Sequence, residues 1–268
     1  MNKLFSENPK FILYRLNHIQ ILRERSFCDF STKYWKARGL EIFLKEKNIK
    51  RILLTGDPNS NLFASYSIYF HCNGFQVDSF PNSRYRFRSM NYLLAKKFSD
   101  HWYPDRIPEE TKDSFLVPRF GFHRSSFIKL KEYFQHIDTI HEPKKIALDI
   151  GSGLTLLSAY DCYRETEVKI VGVLIGERED SLKERLEKNY LEWTKHRIEW
   201  KQIELVSPKI KLRFGEKNPE LIEFISEQEK KGIYLEPTYS AKTVHTLFDS
   251  EEEILYIHQG GLLNEWGG

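Results

Sequence analysis

The chain has 268 residues, of which 40% are hydrophobic and 29% are charged. This composition is typical of a globular protein and excludes a largely disordered one. The length suits one large domain or two modest ones and is sufficient to bury a core. The net charge is only +3, and basic residues alternate with acidic ones along the chain. We therefore expect no nucleic-acid partner, because a nucleic-acid surface usually carries a concentrated basic patch.

The cysteine pattern and the hydropathy of the chain indicate its cellular location and exclude several kinds of site. The three cysteines, Cys28, Cys72 and Cys162, are odd in number and widely spaced. They predict neither a disulfide framework nor a zinc site, and no other metal site is expected. No apolar run reaches membrane-spanning length, and the first residues lack the apolar core of a signal peptide. We expect no membrane partner and a cytoplasmic location.

Strand-like and helix-like patterns alternate along the chain. A short strand is predicted at 11–14, a helix at 33–47, a strand at 51–55, a helix from Ser60 to about Cys72, a strand at 75–80 and a helix at 86–98. Residues 99–118 contain three prolines and are interpreted as a connector between lobes. Beyond them, strands are predicted at 144–150, 168–175, 232–235 and 253–257, and helices at 154–163, 179–196 and 218–230. This alternation predicts an α/β fold with parallel sheets.

A glycine-rich turn follows the predicted strand at 144–150. Its sequence is Gly151-Ser152-Gly153-Leu154-Thr155. The free backbone N–H groups of such a turn bind phosphate, and the following helix dipole assists them. One alternative is a tight turn without a ligand. Another is the first motif of an S-adenosylmethionine methyltransferase, with Glu177 as the acid that binds ribose. Only about a hundred residues follow the motif, few for a domain of that class.

Four further segments carry a resemblance to a known family. Glu236-Pro237-Thr238-Tyr239-Ser240-Ala241-Lys242 precedes a strand that ends in His258-Gln259-Gly260-Gly261, while Lys36-Ala37-Arg38-Gly39-Leu40-Glu41 and Ser60-Asn61 lie nearer the N-terminus. Together with the glycine turn, these segments match in order and spacing the aminocyclopropane-carboxylate (ACC) deaminase and D-cysteine desulfhydrase family. The sequence resembles a divergent member of that family, and the resemblance extends from about residue 20 to the end.

The resemblance implies a fold type II pyridoxal-phosphate enzyme with a tryptophan-synthase-beta-like fold. That fold is α/β and two-lobed, with parallel-rich sheets flanked by helices. Residues 1–39 and 121–268 would form a larger lobe, and residues 40–120 a smaller one. Pyridoxal phosphate is the implied cofactor, a small amino acid is the implied substrate, and dimerisation is expected from the resemblance alone.

The family's site residues carry over position by position. Lys36 would form the covalent link to the cofactor, Ser60 would bind the substrate carboxylate or assist proton transfer, and Tyr239 would pack near the ring. Asn61 would bond the ring hydroxyl, Ser240 would meet the pyridine nitrogen, and Gly151, Ser152, Gly153, Leu154 and Thr155 would hold the phosphate. Structural alternatives stand beside these roles: a solvated helix lysine at 36, a helix N-cap at Ser60 and a core aromatic at Tyr239.

Three departures from the family pattern involve four residues. Tyr34-Trp35 replaces Gly-Asn before the lysine, Leu62 replaces a histidine, and Phe214 replaces a tyrosine that the family places near the substrate. Losing one positioned acid–base group lowers the rate by a factor of about 10²–10⁴. Two interpretations therefore stay open. One is an enzyme that converts a small amino acid to an oxo acid and ammonia. The other is a family member without catalysis that serves in binding.

Overall fold

A computed structural model describes residues 11–24, 31–82, 89–212 and 216–260. These residues form two compact units. The four-stranded unit contains the described residues between 31 and 129, and the six-stranded unit contains residues 11–24 and those from 130 onward. Among the described helices, none combines the length and the apolar character needed to cross a membrane.

The helices and strands alternate over most of the described chain. In chain order they are β1 (Phe11–Leu16), β2 (Ile19–Glu24), α1 (Thr32–Glu46), β3 (Arg51–Gly56), α2 (Asn61–Cys72), β4 (Gln76–Pro81), α3 (Met90–Lys97), β5 (His101–Trp102), β6 (Ser114–Leu116), α4 (Arg124–His141), β7 (Lys145–Ile150), α5 (Leu154–Tyr163), β8 (Lys169–Leu174), α6 (Glu179–Thr194), β9 (Ile203–Val206), α7 (Pro219–Lys230), α8 (Ser240–Leu247) and β10 (Ile254–His258).

The four-stranded unit is built on a wholly parallel sheet in the order β5-β4-β3-β6. Its central strand β3 is apolar, and Ile52 and Leu53 are fully buried, as expected for a parallel strand covered on both faces. Helix α2 packs on β3 and β4 and also contacts α1 and α3. It ends at Cys72, and Gly74, two residues later, has a φ of 80°, the left-handed conformation that glycine commonly supplies after a helix.

The six-stranded unit has the strand order β1-β2-β10-β7-β8-β9. Strands β1 and β2 form an antiparallel hairpin, and the remaining neighbours are parallel. Helix α5 packs on β7 and β8, and α8 packs on β7 and α7. One buried apolar cluster, which includes Ile19, Ala147, Val173 and Tyr256, joins the hairpin to the parallel strands. The late strand β10 therefore lies in the interior of its sheet.

The predicted fold class, an α/β fold with parallel-rich sheets flanked by helices, is confirmed. The predicted strand at 232–235 is wrong. Ile233 and Leu235 are buried in the apolar cluster and Tyr234 is 46% exposed, so the segment has the alternation of a strand. Its backbone nevertheless folds back on α7, because Ile233 N–H donates to Gln228 O at 3.0 Å.

The unit boundaries differ from the expected lobes of 1–39 plus 121–268 and 40–120. Described residues 31–39 and 121–129 group with the four-stranded unit. The physical reason for the first boundary is that α1 continues unbroken across position 39. Residues 99–118 are not a connector, since β5 and β6 within them pair with β4 and β3.

Candidate functional site

Lys36 lies in the second turn of α1, and the residue is 8% exposed. Its carbonyl oxygen accepts a hydrogen bond from Ser126 Oγ at 2.8 Å. One turn further on, Gly39 lies directly against the backbone of Ser125 and Ser126 at the start of α4. The interpretation of Lys36 as a solvated surface lysine is therefore wrong, because the residue is buried and its backbone is held from outside the helix.

The two residues that replace Gly-Asn before the lysine are core residues here. Tyr34 and Trp35 are 5% and 6% exposed, and their rings pack edge to face at 5.7 Å. Tyr34 also packs edge to face on Tyr69 of α2 at 5.7 Å. Tyr34 therefore fills space between helices α1 and α2, whereas the Trp35 ring lies 5.8 Å from the Lys129 ammonium group of α4. Edge-to-face aromatic pairs such as Tyr34 with Tyr69 add to the stabilisation from buried area.

Glu41, another position that matches the family pattern, anchors a buried polar cluster. It is 1% exposed and accepts hydrogen bonds from Arg38 at 2.7 Å, from Lys45 at 2.6 Å and from the Tyr69 hydroxyl. Burial acts to raise the pKa of Glu41, but these three donors outweigh it and hold the pKa below its ordinary value. The family's acidic position thus fixes α1 to α2 rather than facing solvent.

Ser60 and Asn61 lie where β3 leads into α2, at the carboxyl end of a parallel strand. Ser60 is the N-cap, and its Oγ accepts from Phe63 N–H at 3.2 Å. This bond uses only an acceptor position, and within the described residues the Ser60 hydroxyl hydrogen has no protein acceptor. The hydroxyl can therefore cap the helix and still donate to a ligand, so the two interpretations of Ser60 are compatible.

The Asn61 side chain is held by a residue that the sequence motifs did not single out. Asn91, in the first turn of α3, donates from Nδ2 to Asn61 Oδ1 at 2.6 Å. Within the described chain, no protein group accepts a hydrogen bond from Asn61 Nδ2. The amide of Asn61 thus keeps its two N–H donors available.

The glycine turn has the geometry of an anion cradle. It joins the buried strand β7 to α5, and Gly153 is in the left-handed conformation with a φ of 78°. Among the described residues, no side chain caps α5, and the first amides of a helix lack a partner within it. Arg185 backs the turn by donating to Ser152 O at 2.8 Å and pairing with Glu177.

Tyr239 and Ser240 lie at the start of α8, close to the same turn. A Cβ placed on Gly151 would lie 3.7 Å from Tyr239 Cε1, so the tyrosine ring is next to the glycine turn. Ser240 is 2% exposed, and its hydroxyl donates to Glu236 O at 3.1 Å and accepts from Glu236 N–H at 2.7 Å. To reach a pyridine nitrogen, the Ser240 hydroxyl would have to exchange the first of these bonds.

Glu236 is the buried centre of this segment. Its carboxylate accepts from the backbone N–H groups of Thr238 at 2.9 Å, Tyr239 at 2.5 Å and Ser240 at 3.0 Å. The pKa of Glu236 is raised, chiefly by burial and also by the negative charge of Asp149. The three backbone hydrogen bonds lower the pKa but do not outweigh these effects. The carboxylate therefore shapes the segment that carries Tyr239 rather than facing a ligand.

Asp149, the last acidic residue before the glycine turn, connects that turn to β10. Its carboxylate accepts from the Tyr256 hydroxyl at 2.5 Å, and its carbonyl oxygen accepts from Gln259 Nε2 at 2.5 Å. Burial raises the pKa of Tyr256 well above its ordinary value. His258 is fully buried, and its Nδ1 accepts from Gly260 N–H at 3.2 Å. The C-terminal motif therefore supports the turn through hydrogen bonds.

The structure thus assembles the sequence-derived residues in two groups, one in each unit. Ser60 and Asn61 are together at the start of α2, with Lys36 on the neighbouring α1; the glycine turn, Tyr239 and Ser240 are together in the six-stranded unit. Asn91 and Arg185 were missed, because a lone asparagine or arginine on a helix gives no sequence signal of what it contacts. Phe214 lies outside the described residues.

Strand-to-helix turns at the carboxyl ends of parallel strands are where open α/β sheets bind ligands. The described chain has such turns in both of its α/β units, after β3 and after β7. The chain resembles an ACC deaminase homologue of known crystal structure, with a TM-score of 0.80 and 18% identity over 98% of this chain and 92% of that one. It also resembles O-ureido-L-serine synthase, with a TM-score of 0.68 and 10% identity over 100% of this chain and 92% of that one.

No family description and no curated protein sequence matches the chain. The two structural similarities extend over nearly the whole length of all three chains at low identity. The resemblance inferred from the motifs, to a divergent form of the ACC deaminase type, is therefore confirmed at the level of the fold.

Proposed function

We propose that this chain is a pyridoxal-phosphate-dependent enzyme acting on a small amino acid. The reaction is of the ACC deaminase or D-cysteine desulfhydrase type and gives an oxo acid and ammonia. The observation that carries the proposal is the similarity of 98% of the chain to an ACC deaminase homologue at a TM-score of 0.80. The motif residues add to it, because they match that family one by one and in order.

The groups present suit a phosphorylated cofactor with a ring hydroxyl. The turn at 151–155 offers unpaired helix amides beside two hydroxyl side chains, which is the donor set that a phosphate requires. Asn61 offers amide N–H donors for a ring oxygen. Lys36 is the amine on α1 that would carry the covalent link. Tyr239 would pack against the ring beside the turn that holds the phosphate.

The cofactor, when bound, would supply an electron sink for the α-carbon of the substrate. The Lys36 amine would hold the cofactor and would take the proton from that carbon and return it. The Ser60 hydroxyl would donate its hydrogen to the substrate carboxylate while remaining the N-cap of α2. The Tyr239 ring would contact the substrate and help to orient it.

A second candidate, a family member that has kept the fold without the reaction, is favoured by two observations. Tyr34 packs between α1 and α2 and Trp35 is buried beside it, and the Ser240 hydroxyl donates to Glu236. The methyltransferase interpretation has less support. Glu177, the acid it needs for ribose, is paired with Arg185, and the fold follows a different class over nearly the whole chain.

The test is the absorbance of purified protein after incubation with pyridoxal phosphate, for the wild type, Lys36→Ala and the matched control Lys33→Ala in the same helix. We expect a cofactor band in the wild type and in Lys33→Ala, and none in Lys36→Ala. Borohydride reduction followed by peptide mass spectrometry should then locate the adduct at Lys36. Absence of a band from the wild type would refute the proposal.

Substrate assays separate the two candidates. Protein carrying the cofactor is mixed with ACC or with D-cysteine, and ammonia and the oxo acid are measured. Turnover that Lys36→Ala abolishes supports the enzyme, whereas a cofactor band without turnover of small amino acids supports the non-catalytic member. The homodimer, expected from the resemblance, and the cytoplasmic location, expected from the cysteine usage, stay predictions that sedimentation and cell fractionation would test.

A further inference from the structure

The Asn91 side chain is buried at the junction of two helix starts in the four-stranded unit. The residue is 1% exposed and lies in the first turn of α3. Its Nδ2 donates to Asn59 O at 2.9 Å and to Asn61 Oδ1 at 2.6 Å. Its Oδ1 is buried and has no hydrogen-bond partner among the residues that the structure describes. Burying an acceptor in this way is costly, so the two donated bonds are what this asparagine contributes.

The chemistry of these contacts fixes which way both amides face. A backbone carbonyl can only accept, so the group of Asn91 that meets Asn59 O must be its NH₂. That same NH₂ group meets the Asn61 side chain, which must therefore present its oxygen. The Asn61 oxygen is thus turned toward Asn91, and the Asn61 NH₂ group is turned away from it.

The turn that carries Asn59 is itself secured on both sides. Asn59 N–H and Nδ2 donate to Asp57 Oδ1 at 2.8 and 3.2 Å. Asn59 Oδ1 accepts from the backbone N–H of Ser89 at 3.1 Å and from its hydroxyl at 3.0 Å. Ser89 is the N-cap of α3, and Asn91 follows two residues later. The start of α3 therefore holds the turn before α2, and Asn91 adds the one bond that reaches Asn61.

We infer that Asn91 is a positioning residue for the cofactor site, because it orients the Asn61 amide so that its N–H donors face the ring oxygen. This inference rests on the proposed function. Without Asn91, the Asn61 side chain can rotate, and either its oxygen or its nitrogen can face the ligand. An oxygen facing an ionised ring oxygen would repel it, so the correct orientation contributes to affinity and to the charge state of the ring.

The test compares the wild type with Asn91→Ala, Asn61→Ala and the double variant, each titrated with pyridoxal phosphate by absorbance. Loss of one net hydrogen bond predicts a Kd about threefold to tenfold higher for each single variant. The double variant should bind no more weakly than Asn61→Ala alone, because both changes remove the same contact. A pH titration of the cofactor band should give a higher midpoint in all three variants, since the donor favours the ionised ring oxygen.

Asn73→Ala is the matched control for stability. Asn73 is the C-cap of α2, and its Nδ2 donates to Tyr69 O at 2.7 Å. Its replacement should weaken the same helix yet leave the cofactor Kd and the pH midpoint unchanged. A wild type without a band overturns the proposed function and this inference together. A wild-type band with unchanged Kd and midpoint in Asn91→Ala, or additive effects in the double variant, overturns the inference alone.

Discussion

The substitution Gly39→Ala tests directly how closely α1 packs against the start of α4. Gly39 lies inside α1, three residues after Lys36, in ordinary helical conformation. A Cβ there would lie 2.7 Å from the Ser125 carbonyl carbon and 2.8 Å from Ser126 Cα, whereas ordinary contacts begin near 3.4 Å. These obstacles are backbone atoms, so a side-chain rotation cannot relieve the clash.

Two opposing effects determine how Gly39→Ala changes the free energy of unfolding. Helix propensity alone favours alanine by about 1 kcal/mol. Overpacking costs about 1–3 kcal/mol, and the upper end applies because the helix backbones must separate. We therefore expect a net loss of about 2 kcal/mol in the free energy of unfolding, although propensity predicts a gain. The separation would also break the bond from Ser126 Oγ to Lys36 O.

Urea unfolding followed by tryptophan fluorescence measures this difference, with Trp35 in α1 as a local reporter. The control is Gly74→Ala in the same unit, where the φ is 80° but nothing lies within 4 Å of the added carbon. That variant reports backbone strain alone, a net loss of about 0.5–1 kcal/mol. If Gly39→Ala is as stable as the wild type or more so, the close approach of α1 to α4 is not as described.

Three further predictions concern the turn, the cap and the buried acid. Gly153→Ala should lower the free energy of unfolding in urea by about 2–4 kcal/mol, because the position has a left-handed φ of 78° and an added Cβ would lie 2.9 Å from buried leucine side chains. The control Gly232→Ala has a φ of 77° and no described atom within 4 Å of the added Cβ, and should lose about 1 kcal/mol. Equal losses in the two variants would contradict the packing of the turn. Ser60→Ala should lose about 1 kcal/mol as a lost N-cap and Ser60→Asp should keep the cap, so a stable Ser60→Ala would rule out the capping bond. Glu41→Gln should lose roughly 1.5–3 kcal/mol at pH 7. Because the folded pKa of Glu41 lies below its ordinary value, the wild-type advantage should be full at neutral pH, begin to fall below the unfolded pKa of about 4.3, and be lost as the pH falls through the lower folded pKa. An advantage that stays constant down to pH 3 would contradict that assignment.

Most of the helices and many of the parallel strands were predicted from hydrophobic periodicity and from the residues that mark the ends of helices and strands. The predicted helix at 154–163 has the same bounds as α5, and the helix expected from Ser60 is α2 with Ser60 as its cap. Glycine and asparagine marked these ends because they fit conformations that other residues avoid. Helix α4 was not predicted. Its many aromatic and β-branched residues, such as Phe127, Ile137 and Ile140, have reduced helix propensity, and packing overrides that preference.

Site residues were accessible from sequence only where a local motif carries the chemistry. The glycine turn qualifies, since a strand, two glycines and a helix are contiguous along the chain. The contacts of Asn91 with Asn61 and of Arg185 with Ser152 join residues about thirty positions apart, and only the tertiary fold brings them together. The same holds for Tyr34, which departs from the family pattern yet packs well because Tyr69 of α2 lies opposite.

The interior position of β10 has a consequence for the order in which this protein assembles during synthesis. The hairpin of β1 and β2 leaves the ribosome early, but the strand that joins it to β7 is the last strand described in the chain. Until β10 is made, the apolar residues of β2 and one open strand edge have no permanent partner. An exposed edge of this kind invites pairing with other chains. A nascent chain stalled before residue 254 should therefore be more prone to aggregation, and more dependent on chaperones, than one stalled after β10.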